Sequence, residues 1–298
     1  MLGDARLFHV NVNVSNLARA QAFYCDGLGF EFGTRTTPDS VQDGTAFGLQ
    51  RAQWDAVILT GAKGFEGSVL DVLQWSTPMP AGSPPKGYAD TGFQRLGIGV
   101  PDLDATIEAV RSSGGSVWSD PLVHQGDGYQ VRLVHASDPD GVGLELFEGR
   151  GPAFTFVSVV CADVARSKAW YESLGFVCVG EFPSAGDDGR ALHIDGAYVF
   201  TEYLMTPPGD SEASIMLVGF EQPAAIPATS RAANELGMWR AAFVVSALDE
   251  CVANLDAAGI ALISRPVAMS MGPGLPELRF VCFRGPDHEV IELIESPT

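Results

Sequence analysis

The chain has 298 residues, 46% of them hydrophobic and 18% charged, an ordinary globular composition with room for two domains that each bury a core. Its 18 Lys and Arg stand against 37 Asp and Glu, a net charge of −19. A surface of that sign repels phosphate backbones and anionic lipid, so neither nucleic acid nor membrane is an expected partner.

Five scattered cysteines, Cys25, Cys161, Cys178, Cys251 and Cys282, never form a C-x-x-C pair. That argues against a disulfide framework or zinc knuckle and for a reducing cytoplasm. Met1 to Arg6 lacks the charged-then-apolar pattern of a signal peptide. No apolar run approaches the roughly 20 residues of a membrane span.

In chain order, Phe8 to Phe32 opens with the period-2 alternation of a half-buried strand. Ser15-Asn16 follows as a helix N-cap, then Leu17, Ala20 and Phe23-Tyr24 at helical spacing, and Gly27 and Gly29 as the stop before a second strand. Arg95 to Val123 repeats strand, cap (Asp102), helix, Gly stop and strand, and closes on the hairpin sequence RLVHASDPDGVGLELFE. Thr155 to Val179 returns to the first pattern, with Asp163 as cap. Arg240 to Val267 returns to the second, with Ser246 as cap, and closes on RFVCFRGPDHEVIELIE. One residue offset relates His9 to Phe156 and Glu145 to Glu292, which is the signature of internal duplication.

The expected fold is therefore α+β: four βαβββ modules, at about 6–75, 92–148, 153–220 and 237–295, forming two half-barrel cups. Residues 1–149 make an N-terminal domain of modules 1 and 2, and 153–298 a C-terminal domain of modules 3 and 4. The short Gly149–Pro152 linker leaves open whether cups pair modules 1 with 2 and 3 with 4, or 1 with 4 and 2 with 3. Segments 76–91 and 221–235 are long enough to be lids or linkers.

The strand-cap-helix opening with Phe23, Tyr24, Leu28, Gly29 and Phe30, its echo in Trp170, Tyr171, Leu174, Gly175 and Phe176, and the close Asp138-Pro139-Asp140-Gly141…Glu145-Leu146 resemble the vicinal oxygen chelate superfamily. That group includes glyoxalase I, extradiol dioxygenases and bleomycin-resistance proteins. The resemblance covers nearly the whole chain and is specific for fold, while the superfamily hosts many chemistries.

The resemblance implies a metal ligand on the first strand of a module and another near the end of its last strand. Those positions hold His9 and Asp71 in module 1, Arg95 and Glu145 in module 2, Phe156 and Met216 in module 3, and Arg240 and Glu292 in module 4. A guanidinium has no lone pair to give a metal, so Arg95–Glu145 and Arg240–Glu292 read as ion pairs standing where relatives bind an ion. The apolar Phe156 and Met216 argue against catalysis in the C-terminal half. The expected site is an N-terminal cup with His9 as a general base beside Asp71, Arg95 stabilising an enolate or carboxylate, and Glu145 paired with it. Asn11 and Asn13 share the face of His9 and are expected to orient substrate. The loop from His124 is a candidate lid carrying Tyr129. His135 aligns with Cys282 and reads as a packing slot.

The reading is a small-molecule enzyme of lyase, isomerase or cyclase type, without cofactor, acting on a carbonyl-bearing or aromatic metabolite as a monomer or homodimer. The alternatives are a binding protein of the bleomycin-resistance kind, or a metal enzyme using Fe, Mn or Zn on His9, Asp71 and Glu145.

Overall fold

The computed structural model describes residues 1–126, 129–209 and 211–296. Module 1 contains β1 (Arg6–Asn13), α1 (Leu17–Ala22), β2 (Glu31–Thr36), the short β3 (Gln42–Asp43), β4 (Arg51–Thr60) and β5 (Val69–Thr77). Module 2 has β6 (Gly92–Val100), α2 (Leu103–Ser112), β7 (Ser116–Val117), β8 (Leu122–Gly126), β9 (Tyr129–Ser137) and β10 (Gly143–Glu148). Module 3 has β11 (Ala153–Cys161), α3 (Val164–Leu174), β12 (Val177–Gly186), β13 (Tyr198–Thr206) and β14 (Ser214–Gln222). Module 4 has β15 (Gly237–Val245), α4 (Leu248–Ala257), β16 (Val267–Met269), β17 (Leu278–Arg284) and β18 (Val290–Glu295).

The caps explain where the helices begin. The side chains of Asn16, Asp102 and Asp163 accept from the amides of Arg19, Ala105 and Arg166 at 2.9, 2.9 and 3.0 Å. Ser246 does not do the same for α4. Ala247 occupies that cap without a side-chain bond, and the Ser246 amide instead donates to Asp4 at 3.1 Å. In the Leu-Gly-Phe motif, Gly29 (φ +82°) and Gly175 (φ +107°) lie in the left-handed region where glycine escapes the Cβ penalty. Phe30 and Phe176 then donate back to the carbonyls of Tyr24 and Tyr171, across six residues in module 1, where a π-helical turn at Phe23–Gly27 ends the helix, and across five in module 3.

Strand pairing decides the arrangement of the cups. One sheet runs β16-β17-β18-β15-β1-β5-β4-β2, the other β12-β13-β14-β11-β6-β10-β9-β7. Modules 1 and 4 therefore build one cup, joined by antiparallel β1 and β15, and modules 2 and 3 build the other, joined by β6 and β11. The expected N-terminal cup of modules 1 and 2 does not form, and His9 and Asp71 lie in a different sheet from Arg95 and Glu145. Segments 76–91 and 221–235 are linkers, bridged to each other at Ala81–Glu235 and Asp90–Ile226.

Alternation fixes which side chains enter a cup. Val10, Val12 and Val14 are fully buried in a core that all four modules share, together with Leu96, Val157 and Phe243, while His9, Asn11 and Asn13 take the opposite face. Across each joining seam the residues are matched in size. His9 stands opposite Ala242, whereas Phe156 stands opposite Gly97, where an added Cβ would lie 2.2 Å from the ring. Gly97→Ala should therefore lower stability by about 1–3 kcal/mol through overpacking. Urea unfolding checks this, and Phe156→Ala in the same chain should recover part of the Gly97→Ala loss.

Candidate active site

Four adjacent strands, β18, β15, β1 and β5, each send one ionisable side chain into the first cup: Glu292, Arg240, His9 and Asp71. Arg240 donates from Nε to Glu292 Oε2 and from Nη2 to Asp71 Oδ2, both at 2.8 Å. His9 Nε2 lies 3.5 Å from that Glu292 oxygen and 3.7 Å from that Asp71 oxygen, near enough to feel both charges but beyond a hydrogen bond. Burial opposes ionisation of Glu292, but Arg240 and His9 outweigh it and hold its carboxyl below the usual carboxylate range. Arg240 stays charged because Glu292 and Asp71 offset the penalty of burying it.

Three polar atoms of this cluster are buried without a hydrogen-bond partner in the protein: both ring nitrogens of His9 and Nη1 of Arg240. The cluster forms one wall of a cavity of about 200 Å³, closed by Phe47, Trp54, Phe65 and Phe280. Buried polar groups are seldom left unpaired; with Nε2 set beside the two acids, a polar guest in this cavity is the natural partner for His9 Nδ1 and Arg240 Nη1.

The other expected residues are placed differently. Asn13 is fully occupied, donating at 2.8 Å to the carbonyls of Ala233 and Glu235 and accepting from Trp75 Nε1 at 3.0 Å; it ties β1 to the second linker rather than touching a ligand. Asn11 sits beneath Asp71, with Nδ2 3.4 Å from its carboxylate, and orients that acid without lining the cavity. The side chain of Tyr129 lies outside the described residues.

Arg95 and Glu145 form the expected ion pair, at 2.8 Å, but in the second cup. There Arg95 also meets Glu202 Oε1 at 2.6 Å, His135 Nε2 at 2.6 Å and the Tyr88 hydroxyl. Tyr88 arrives from the first linker, and the guanidinium carbon stands 3.8 Å above its ring centre. Burial opposes ionisation of both acids. For Glu145, Arg95 and His135 prevail and lower it; for Glu202, burial and the nearby Glu145 prevail and raise it. His135, read from sequence as a packing slot, lies on the wall of this second cavity beside Glu145. Glu202 is the one charged residue of β13 (YVFTEYLMT), which is the signal that marks it.

Neither cluster suits a metal ion as it stands. In the first cup the Arg240 guanidinium, which offers no lone pair, stands between Asp71 and Glu292 and grips the one oxygen of each that lies nearest His9. The alternative set of His9, Asp71 and Glu145 is divided between the cups, and among the described residues no group of three or more potential ligands is arranged around a common point. Among the described residues, no helix is long and apolar enough to cross a membrane.

Comparison with known proteins agrees with this architecture. The family model described as Glyoxalase/Bleomycin resistance protein/Dioxygenase superfamily matches residues 6–146 and again 153–293. Relatives include the uncharacterized protein YaeR of Escherichia coli, 28% identical over 151 residues (50% of this chain, 99% of that protein), and a probable lactoylglutathione lyase of Synechocystis, 27% identical over 145 residues (48% and 94%). Among solved structures, glyoxalase I from Zea mays superposes with a TM-score of 0.66 at 18% identity, covering 98% of this chain and 92% of that one. With two family matches that together span nearly its whole length, the chain belongs to the glyoxalase/bleomycin resistance protein/dioxygenase superfamily.

Proposed function

We propose that the first cup is the active site of a metal-independent enzyme that moves a proton on a small carbonyl-bearing or aromatic compound, as a lyase or isomerase does. The observation that carries this reading is the unpartnered state of His9 and of Arg240 Nη1 on one cavity wall. A substrate oxygen would accept from Arg240 Nη1, where the fixed positive charge favours an enolate-like oxygen over a neutral carbonyl. With Nε2 facing Glu292 and Asp71, Nδ1 of His9 keeps a free lone pair for the substrate proton. The resulting imidazolium is stabilised by the two acids. Arg240 thus takes the role first expected of Arg95.

Several relatives carry the name lactoylglutathione lyase, so lactoylglutathione is the first compound to test. Incubating EDTA-treated protein in D₂O with lactoylglutathione and a panel of α-hydroxy aldehydes and ketones should wash deuterium into the carbon next to the carbonyl, followed by NMR. His9→Ala should slow that exchange by about 10²–10⁴-fold, the usual size of a general-base contribution, while ligand affinity changes little. Exchange that appears only after adding a divalent metal, or that survives His9→Ala, would overturn the reading; tight binding without exchange would favour sequestration.

A further inference from the structure

We propose that the second cup is a separate binding site for a small organic cation, a primary ammonium carried on an apolar, ring-bearing body. The cavity has a volume of about 480 Å³ and shares no residue with the first. Its charged wall is layered. Arg95 lies behind with 2% of its side chain exposed, while Glu145 and Glu202 stand forward at 13% and 17%. A guest therefore meets carboxylate oxygens first. Two acids share one guanidinium, and burial lowers the pKa of His135 and favours its neutral form, so the group carries one uncompensated negative charge when both acids are ionised.

A second observation points to a ligand. Arg95 has only donors, so His135 Nε2 must be the acceptor in their 2.6 Å contact, and the ring proton therefore sits on Nδ1. That Nδ1 is buried with no partner, on a residue 5% exposed that lines the cavity. The wall thus offers spare carboxylate lone pairs beside one unmet N–H donor. An ammonium with an oxygen nearby matches both, whereas an anion would face two carboxylates. Phe147, Phe182, Tyr198 and Phe200 supply aromatic surface for the body of the guest, and ring faces add attraction for a cation.

Isothermal titration of the full chain with tryptamine, tryptophol and indole-3-propionate isolates the charge of the guest at nearly constant shape. Tryptamine should bind with one-to-one stoichiometry, about tenfold or more tighter than tryptophol, as expected of a charge-assisted contact, and the acid should not bind. Glu202→Gln should remove that advantage and leave tryptophol unchanged. Leu122→Trp, at an exposed position on the same cavity, should block tryptamine by filling the mouth. His9→Ala should leave tryptamine binding intact, which separates this site from the first. Equal affinity for all three compounds, tighter binding of the acid, no tryptamine binding, or tryptamine binding indifferent to both Glu202→Gln and Leu122→Trp would overturn the proposal.

Discussion

Arg240→His should create a binding site for a divalent metal at this position. The change removes the group that grips Asp71 Oδ2 and Glu292 Oε2 at 2.8 Å and puts a lone pair in its place. His9 Nε2 already lies within 3.7 Å of both oxygens, so two imidazoles and two carboxylates would then converge, a donor set suited to Zn²⁺, Mn²⁺ or Fe²⁺. Thermal melting with Zn²⁺ and with EDTA reads the outcome: at one hundred times its dissociation constant the metal adds about 2.7 kcal/mol of stability. Arg240→Ala without metal should instead lose about 3–5 kcal/mol, because two buried carboxylates are left without their cation. Stoichiometric metal in the native protein at His9, with Arg240 displaced, would refute the charge argument behind the proposed chemistry.

Glu289→Gln should stabilise the protein at alkaline pH and remove much of a pH slope. Glu289 is buried beside Asp287, accepts from the Tyr171 hydroxyl at 2.9 Å, and is pushed up to about 8, first by burial and then by the Asp287 charge. The folded state holds this proton over a range where the unfolded chain has released it. Stability from this group is therefore complete below the ordinary glutamate range and declines as pH rises from about 4.5 toward 8. At pH 8.5 the variant should exceed the native chain by on the order of 3 kcal/mol, and the gap should close near pH 5. Denaturant unfolding of both proteins across that range isolates the contribution; a difference that does not vary with pH would refute it.

The same contact shows how the repeats diverged. In module 2, Asp138 holds the matching place, accepting from the Tyr24 hydroxyl at 3.2 Å and pushed up to about 6 by burial. Module 4 has Gly285 where module 2 has Asp138, and the acid has moved to Glu289, whose carboxylate fills the space a Cβ at Gly285 would need, 2.1 Å away. Duplication, caps and alternation made the modules legible in the sequence, because each is a local pattern. The pairing of modules was not legible: the joining strands β1, β6, β11 and β15 follow one pattern, and nothing local distinguishes one partner from another.

That ambiguity is why His9 and Asp71 were readable as a pair while their guanidinium partner was not. Asn13 misled because a polar residue on a concave face looks the same whether a ligand or a linker carbonyl satisfies it. Tyr88 was invisible because its loop has no periodicity, and His135 because the comparison with Cys282 hid its strand neighbour Glu145.

Each sheet takes one module from either half: segments 76–91 and 221–235 cross between cups, while the Gly149–Pro152 connector joins β10 to β11 within the second sheet without belonging to a strand. Cleavage there would sever no sheet, yet neither fragment would own an intact pocket. The unit that was copied and the unit that encloses a guest are different objects, and the tandem chain does by covalent fusion what two separate half-length chains would have to do by association.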